Sequence, residues 1–342
     1  MRRIVIHRPG GYDALRLVEE PDLPPARGEV AIEVTACGVN YADGIVRLGL
    51  YASAKELHGY PITPGFEVAG RIVAAGEGVA GWQPGDEVLA LTLFGGYTSR
   101  LCLDAGLVFR RPPVLTAAEA AGVPAVFLTA WYLVHEQVHP RPGATWLVHS
   151  AAGGVGGALA QLGRLAGVRV VGVVGAAHKR DAARAAGCSD VIDKSREDLW
   201  PRARALAPGG FDAVFDANGV ATLRSSYEHL APTGRLLVYG FASMLPRDGR
   251  LNWLALARDW LRTPRFSPLA MTRDNRSVMA CNLSFLAGHA PLLAAGMEWL
   301  LARFAAGDLK PPPVTTFPLD RAADAHRAIE SGQTVGKLVL LP

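Results

Sequence analysis

Apolar segments alternate with helical stretches between residues 125 and 287, and this alternation is the clearest pattern in the chain. Five β-prone segments follow one another in this region, at 145–150, 169–174, 190–193, 211–217 and 234–240. Strands that alternate with helices form a parallel sheet covered on both faces. The sequence therefore predicts the α/β class, with a doubly wound parallel sheet in this region.

The residues before this region follow another pattern, rich in glycine, proline and short β-prone runs at 30–36, 68–75 and 87–91. Turn signals such as Pro84-Gly85-Asp86 separate the runs, which predicts an irregular, mostly β domain.

A chain of 342 residues exceeds the usual size of a single domain. We predict a β-rich domain over 1–124 and an α/β domain over 125–287, with an unusual segment at 244–275 and a closing part over 288–342.

The last hundred residues add three further elements. A helix with an aromatic face and several arginines is predicted over 250–262, and a strand at the sheet edge over 277–285. A helix over 291–306 then leads to a closing β segment at 336–341. An edge strand is a template for pairing with another chain.

Composition excludes several classes of protein. Half of the residues are hydrophobic, 19% are charged and the net charge is +4, without a lysine-rich block, so a nucleic-acid partner is not expected. The basic start lacks the apolar stretch of a secretory signal, and no run is long enough to cross a membrane. Cys37, Cys102, Cys188 and Cys281 are scattered singly, which favours reduced thiols and a cytoplasmic protein.

A glycine-dense turn indicates a bound dinucleotide. The spacing is Ala151-x-Gly153-x-x-Gly156, a variant of GxGxxG, and it lies between a β-prone run and a helix. Glycines let the backbone approach the pyrophosphate, and the amides of the helix N-terminus face its negative charge.

The residues after the next strand suggest which dinucleotide binds. NAD sites usually carry an acidic residue there for the ribose hydroxyls, whereas this chain has His178-Lys179-Arg180. Cations at this place favour the 2′-phosphate of NADPH. The alternative is that Lys179 and Arg180 only begin a solvated helix.

One motif points to a different chemistry. His135-Glu136-Gln-Val-His139 matches HExxH, which on a helix places two histidines on one face for zinc. Pro140 follows at once, so the second histidine lies where the helix must end. We therefore interpret the segment as a helix end rather than as the zinc site of a protease.

Taken together, the motifs resemble the medium-chain dehydrogenase/reductase superfamily, and within it the zinc-free quinone oxidoreductase branch. The resemblance runs nearly end to end, through Cys37-Gly-Val-Asn40-Tyr-Ala-Asp43, Gly49-Leu-Tyr51, Pro64-Gly-Phe66-Glu67-Val-Ala-Gly70, Gly81-Trp-Gln-Pro-Gly-Asp86, Leu128-Thr129-Ala-Trp, the glycine turn and Gly336-Lys337. The segment before Asn282-Leu283-Ser284-Phe285 is most similar to the vesicle amine transport protein group. The resemblance implies a GroES-like catalytic domain over 1–124, to which residues 288–342 return. It also implies a Rossmann NADPH-binding domain over 125–287 with an inserted segment at 244–275.

The same resemblance implies that no metal takes part. Zinc members of the superfamily bind catalytic zinc at places that correspond here to Asn40, Phe66 and Ala125. Phenylalanine and alanine cannot bind a metal, and an amide is a poor zinc ligand. The four-cysteine structural zinc lobe is missing as well.

The activity implied is hydride transfer from NADPH to an electrophilic acceptor, with the protein supplying position, a dry site and a proton route. A quinone or a similar conjugated carbonyl is the expected substrate, because its ring delocalises the incoming charge. The alternative is an enone or enoyl-thioester, which leaves an enolate that needs a hydrogen-bond donor. The sequence does not separate these two acceptors.

The resemblance also assigns candidate site residues. The pyrophosphate is expected at Gly153, Gly154, Val155 and Gly156, the 2′-phosphate at Lys179 and Lys194, and the adenosine portion at Asn218. The nicotinamide side is expected to be lined by Gly240, Phe241, Cys281, Asn282 and Leu283, and Thr129 is expected near the carboxamide. Tyr51 is expected near the cofactor at the mouth of the cleft.

Each assignment has a simpler alternative. Phe241 could be core, Asn218 could form the turn before Gly219, and Tyr51 could pack on the surface. Asn40 and Tyr51 are the catalytic candidates. Asn40 is expected to fix its loop or to contact the substrate, and Tyr51 or a bound water is expected to supply the proton. Asp43 and Glu67 are explained as buried structural carboxylates.

A non-catalytic function is the last alternative, that of an NADPH-binding protein associated with membranes. The 250–262 helix could present Trp253, Leu254, Trp260 and Leu261 to a bilayer, with Arg250, Arg258, Arg262 and Arg265 meeting phosphates. We favour instead packing of this face on the cofactor domain, or a cleft lid, and expect no membrane association. The resemblance further implies a homodimer formed through the 277–285 strand.

Overall fold

The structure is a computed structural model that describes residues 1–244 and 251–342. In this part of the chain, residues 1–128 and 283–342 form one compact unit, and residues 129–244 and 251–282 form the other. We call them the catalytic unit and the nucleotide unit.

The strands are β1 (Arg2–Val5), β2 (Arg16–Glu19), β3 (Glu29–Val39), β4 (Glu67–Ala75), β5 (Glu87–Leu91), β6 (Arg100–Asp104), β7 (Val108–Arg110), β8 (Thr145–Val148), β9 (Arg169–Val174), β10 (Asp190–Asp193), β11 (Phe211–Asp216), β12 (Leu230–Val238), β13 (Ser277–Ala280), β14 (Val314–Pro318) and β15 (Lys337–Leu341). The α-helices are α1 (Tyr41–Arg47), α2 (Ala52–Glu56), α3 (Ala117–Ala120), α4 (Pro124–Trp131), α5 (Gly154–Leu165), α6 (Arg180–Ala185), α7 (Leu199–Leu206), α8 (Leu223–Glu228), α9 (Trp253–Arg262), α10 (Pro268–Asp274), α11 (Ala290–Ala306) and α12 (Ala322–Glu330).

The catalytic unit is built on a sheet of order β14-β15-β3-β4-β5-β7, with β6 also pairing β3. Its pairs are antiparallel except β14 with β15. The three runs predicted as strands near the start of the chain all lie in this sheet, within β3, β4 and β5. Their inward side chains, among them Val30, Ile32 and Val68, are fully buried.

The nucleotide unit contains a parallel sheet of order β10-β9-β8-β11-β12-β13. The five predicted strands are confirmed, and so is the α/β class. The chain moves outward from β8 to β10, then returns to the centre at β11 and moves outward the other way. Ligands of such sheets bind at this reversal, outside the carboxyl ends of the strands. The reversal here lies between β8 and β11.

The strand predicted over 277–285 is shorter than expected. It covers Ser277–Ala280, and Leu283–Leu286 forms a 3-10 turn instead. β13 ends here because its neighbour β12 ends at Val238. The Val238 carbonyl accepts the last hydrogen bond between the two strands, from the Cys281 N–H at 3.0 Å. The strand does lie at the sheet edge, and the homodimer through it stays a prediction.

The aromatic helix begins at Trp253, where the Asn252 side chain caps it by accepting the Ala255 N–H at 3.0 Å. Arg250 lies outside the described residues. Four large apolar side chains of this helix stay exposed: Trp253 (67%), Leu254 (85%), Trp260 (67%) and Leu261 (73%).

The prediction that this face packs on the nucleotide unit is therefore wrong for these four side chains. Their exposure leaves the lid alternative untested. None of the described helices combines the length and the apolar character needed to cross a bilayer.

Candidate cofactor and active site

The glycine turn lies at the carboxyl end of the central strand β8. Ser150 adopts a left-handed backbone, with φ 55°, and α5 begins four residues later. A Cβ atom on Gly156 would lie 2.3 Å from the Ser150 carbonyl oxygen, so only glycine fits there. The turn thus forms a cradle at a helix N-terminus, whose first amides have no partner within the helix.

A lysine follows each of the next two strands, β9 and β10, which lie outward from β8 in the sheet. Lys179 ends a short 3-10 turn after β9, and Lys194 comes directly after β10. Burial lowers the pKa of the half-buried Lys179, and the charge of Lys194 lowers it further. The two ammonium groups repel one another, and an anion between them would reduce this repulsion. Lys179 is also the N-cap of α6, which begins at Arg180, so the alternative that these residues only begin a helix stays open.

A buried carboxylate shapes the turn after β11. Asp216 is fully buried, and its Oδ1 accepts the backbone N–H groups of Asn218 at 2.8 Å and of Gly219 at 3.1 Å. Asn218 is therefore part of a turn, as its simpler alternative holds. Its carbonyl also accepts the Ser243 N–H at 2.8 Å, which joins this turn to the one after β12.

Phe241 contributes to the same edge of the sheet. A Cβ on Gly219, which has φ 83°, would lie 2.7 Å from the Phe241 ring. The ring itself is 42% exposed, so the alternative that Phe241 is plain core is wrong.

Six turns meet at one edge, because the carboxyl ends of parallel strands share it. The predicted cofactor residues that follow these strands are Gly153, Gly154, Val155 and Gly156 after β8, Lys179 after β9, Lys194 after β10, Asn218 after β11, Gly240 and Phe241 after β12, and Cys281 and Asn282 after β13. Leu283 begins the next 3-10 turn, and Thr129 lies in the last turn of α4.

In the catalytic unit a charged cluster surrounds Asn40. The ammonium of Lys337 lies 2.5 Å from Asn40 Oδ1 and 2.6 Å from Glu67 Oε1, while the Asn40 amide donates to Glu67 Oε1 at 2.9 Å. Glu67 is fully buried and Lys337 is 3% exposed. Glu67 is thus a structural carboxylate, and Asn40 has a fixed orientation.

The three positions that correspond to zinc ligands come together here. Glu67 Oε2 accepts the Ala125 N–H at 2.7 Å, and the neighbouring Phe66 packs in an apolar cluster with Ala125 and Tyr51. At these three positions the chain thus offers two carbon side chains and one amide, which is already engaged by Lys337. This chemistry does not suit zinc.

Tyr51 lies at the edge of that cluster. Its ring meets Phe66 edge to face, with centroids 5.8 Å apart, and its hydroxyl is 2.8 Å from Ser284 Oγ. Either hydroxyl can donate. Tyr51 therefore joins a hydroxyl pair rather than only packing on the surface.

A second buried group supports the Asn40 loop. Asp43 accepts hydrogen bonds from the backbone N–H groups of Asn40 (2.7 Å) and Gly65 (3.0 Å) and from the Tyr97 hydroxyl (2.9 Å). The same hydroxyl lies 3.2 Å from His326 Nε2. Burial raises the pKa of Asp43 to about 7 and lowers the pKa of His326 to about 3. Asp43 is structural, as predicted.

The HExxH segment forms the end of a helix. Residues Tyr132–Val138 are π-helical, and His139 ends them in a left-handed conformation with φ 51°. The ring of His135 packs on Trp131, with centroids 5.8 Å apart. Burial lowers the pKa of His135. The prediction that Pro140 ends the helix at the second histidine is confirmed.

Sequence reasoning missed two contributors. Lys337 was noticed only as part of a family motif, and Ser284 only as one residue of another motif. The available signal for Lys337 was its position directly before the apolar run 338–341, because a lysine in a buried strand requires a partner for its charge. Nothing in the sequence pattern pairs Ser284 with Tyr51.

Comparisons with known proteins agree with this architecture. The family described as "Alcohol dehydrogenase GroES-like domain" matches residues 26–143, and the family described as "Zinc-binding dehydrogenase" matches residues 186–340. A synaptic vesicle membrane protein VAT-1 homolog from Rattus norvegicus is 34% identical over 100% of this chain and 84% of its own length. A 2-haloacrylate reductase from a Burkholderia species is 32% identical over 99% of this chain and 98% of its own.

A solved structure shows the same fold. Escherichia coli quinone oxidoreductase, complexed with NADPH, superposes with a TM-score of 0.87 at 28% identity, covering 100% of both chains. Together with the relatives, this match confirms the family resemblance and the fold class. The chain belongs to the medium-chain dehydrogenase/reductase superfamily, in the zinc-free branch that contains quinone oxidoreductases and VAT-1 homologues.

Proposed function

We propose that this protein is a zinc-independent oxidoreductase that transfers hydride from NADPH to a quinone or a similar conjugated carbonyl. The observation that carries the proposal is the shared edge of the parallel sheet. It presents a glycine cradle at the switch point and two neighbouring lysines after the next strands. A diphosphate fits the cradle, and a further phosphate monoester fits the lysines.

When bound, NADPH supplies the hydride, and the protein supplies binding and proton transfer. The amides at the start of α5 would hold the pyrophosphate, and Lys179 and Lys194 would neutralise the 2′-phosphate. Asn40, fixed by Lys337 and Glu67, retains a second amide N–H, which would be a donor for a substrate oxygen. The Tyr51–Ser284 hydroxyl pair provides a donor for the proton that follows.

The lysine pair gives the first prediction. Replacing Lys179 and Lys194 together by Ala is expected to weaken NADPH binding roughly 100-fold, because charge-assisted hydrogen bonds to the 2′-phosphate are lost. NADH lacks that phosphate, so its dissociation constant should change little. Calorimetric titration with both cofactors measures the difference. Lys310→Ala, at an exposed lysine in the other unit, is the control for the charge change. Equal weakening of NADPH and NADH would contradict the assignment.

An enone or enoyl-thioester reductase is the second possibility within the same chemistry. It is favoured by the relative named 2-haloacrylate reductase, because an acrylate also carries a conjugated carbon–carbon double bond. Steady-state NADPH oxidation with phenanthrenequinone and with a crotonyl thioester separates the two acceptors. Turnover with the thioester alone would replace the quinone proposal.

Tyr51 provides a second test of the proton route. Tyr51→Phe should lower kcat with the crotonyl thioester about 100-fold, because an enolate needs a proton donor. The effect on phenanthrenequinone should stay below about tenfold, since the ring delocalises the charge. Ser284→Ala, which keeps the phenol and removes its partner, is the matched variant. Equal losses with both acceptors would show that Tyr51 only shapes the pocket.

The exposed face of α9 favours a second candidate function, association with membranes. Tryptophan and leucine side chains are exposed beside Arg258 and Arg262, the arrangement of helices that lie in a bilayer interface. The intact protein should then pellet with vesicles of phosphatidylserine and phosphatidylcholine. The double variant Trp253→Ser and Trp260→Ser should remain in the supernatant. No pelleting of the unmodified protein would remove this function.

A further inference from the structure

A buried histidine directly precedes the glycine turn, and the proposed hydride transfer does not use it. His149 directly follows β8 and is 1% exposed, and its backbone N–H donates to the Phe215 carbonyl on β11 at 3.0 Å. Its Nε2 lies 3.1 Å from Ser226 Oγ, and the Ser226 hydroxyl donates to Asp216 Oδ2 at 2.7 Å. The histidine therefore bridges two adjacent strands at the reversal of strand order.

The hydrogens along this chain can be assigned. The single hydroxyl hydrogen of Ser226 goes to Asp216, so the contact with His149 requires a hydrogen on Nε2. Burial lowers the pKa of His149, which favours the neutral ring with its hydrogen on Nε2. Nδ1 is buried and has no hydrogen-bond partner among the described residues. Because Ser226 donates to the carboxylate and all three side chains are buried, this is not the arrangement of a hydrolytic triad.

The Asp216 carboxylate also connects His149 to the turns that are predicted to bind the cofactor. Asp216 Oδ2 also accepts the Thr222 hydroxyl at 2.7 Å, and Oδ1 holds the amides of Asn218 and Gly219. Gly219 in turn lies against Phe241, and Asn218 is bonded to Ser243. One network therefore connects the turns that follow β8, β11 and β12.

We infer that His149 is a positioning residue for the cofactor: through Ser226 and Asp216 it fixes the Asn218–Gly219 turn relative to the glycine turn. The inference rests on the proposed function, because it requires a dinucleotide at this edge. The hydrogen bonds described for this network go to neither Lys179 nor Lys194, and the charge of Lys194 reaches His149 only as a lowering of its pKa. The network therefore positions the part of the cofactor that NADPH and NADH share. Loss of the network should weaken both dinucleotides by the same factor.

Calorimetric titration of the intact protein with NADPH and with NADH tests the inference. His149→Met removes the donor in a side chain of similar size, and Ser226→Ala removes the bridge with a smaller change. Each variant should raise both dissociation constants roughly five- to tenfold, as expected for one buried hydrogen bond. The ratio of the two constants should stay as in the unmodified protein. His149→Gln, whose amide nitrogen can donate to Ser226, should recover most of the affinity.

A purely structural histidine would give a different result. Variants with a lower melting temperature but unchanged dissociation constants would overturn the inference, and so would a change confined to NADPH. Lack of binding of either dinucleotide by the unmodified protein would overturn the proposed function as well. The two failures are therefore distinguishable.

Discussion

Replacing Lys337 by Met is expected to destabilise the catalytic unit by about 3–5 kcal/mol, the usual cost of leaving a buried charge without its partner. Glu67 is fully buried, and the ammonium of Lys337 at 2.6 Å is the cation that neutralises it. Methionine fills a similar volume but cannot pair with the carboxylate. The effect should therefore come from charge rather than from packing.

The double variant distinguishes these two causes. Adding Glu67→Gln to Lys337→Met removes both charges, while the glutamine oxygen can still accept the Ala125 N–H. Most of the lost stability should return, because a neutral buried pair can be as stable as a charged one. Urea unfolding and thermal melting of the unmodified protein, the two single variants and the double variant give the coupling free energy. Additive losses from the two substitutions would show that the ion pair is not the source.

The second large effect concerns pH. Asp43 and His326 lie on either side of the Tyr97 hydroxyl, and burial shifts their pKa values in opposite directions, to about 7 and about 3. The ordinary values are 3.8 for Asp43 and 6.5 for His326. Between roughly pH 4 and 6.5 the folded protein therefore holds a proton on Asp43, and the unfolded chain holds one on His326.

The two contributions have opposite signs. The stability from Asp43 is fully present below its unfolded pKa and is lost as the pH rises through the folded value. The stability from His326 is present above its unfolded pKa and is lost as the pH falls toward the folded value. Each changes the free energy of unfolding by about 1.4 kcal/mol per pH unit within this window. In the unmodified protein they should nearly cancel.

Single substitutions should reveal each contribution. In Asp43→Asn, which imitates the protonated acid, the remaining histidine should make stability fall as the pH is lowered from 6.5 to 4.5 relative to the unmodified protein. In His326→Gln, stability should rise over the same range. Urea unfolding at three pH values measures the slopes, and the double variant should regain the original slope. Equal slopes in all four proteins would show that neither group titrates between folded and unfolded states as described.

The chain by itself determined the elements whose signals are local. The five β-prone segments became neighbouring parallel strands, and Gly156 lies where a side chain would meet the Ser150 carbonyl. Lys179 and Lys194 follow the strands on one side of the reversal, because a strand order of this kind places successive carboxyl ends at one edge. Pro140 likewise fixed the end of its helix. These features depend on residues within a few turns of each other.

Only the tertiary structure decided which distant side chains meet. Lys337 reaches Asn40 across 297 residues, Ser284 reaches Tyr51 across 233, and His326 reaches Tyr97 across 229. No local period encodes such pairs, because they depend on how the sheet brings the last strand beside β3 and on burial that removes water from each charge. For the same reason the α9 pattern was misleading. The sequence pattern predicts that a helix has an apolar side, but the surrounding fold determines whether another part of the protein covers that side.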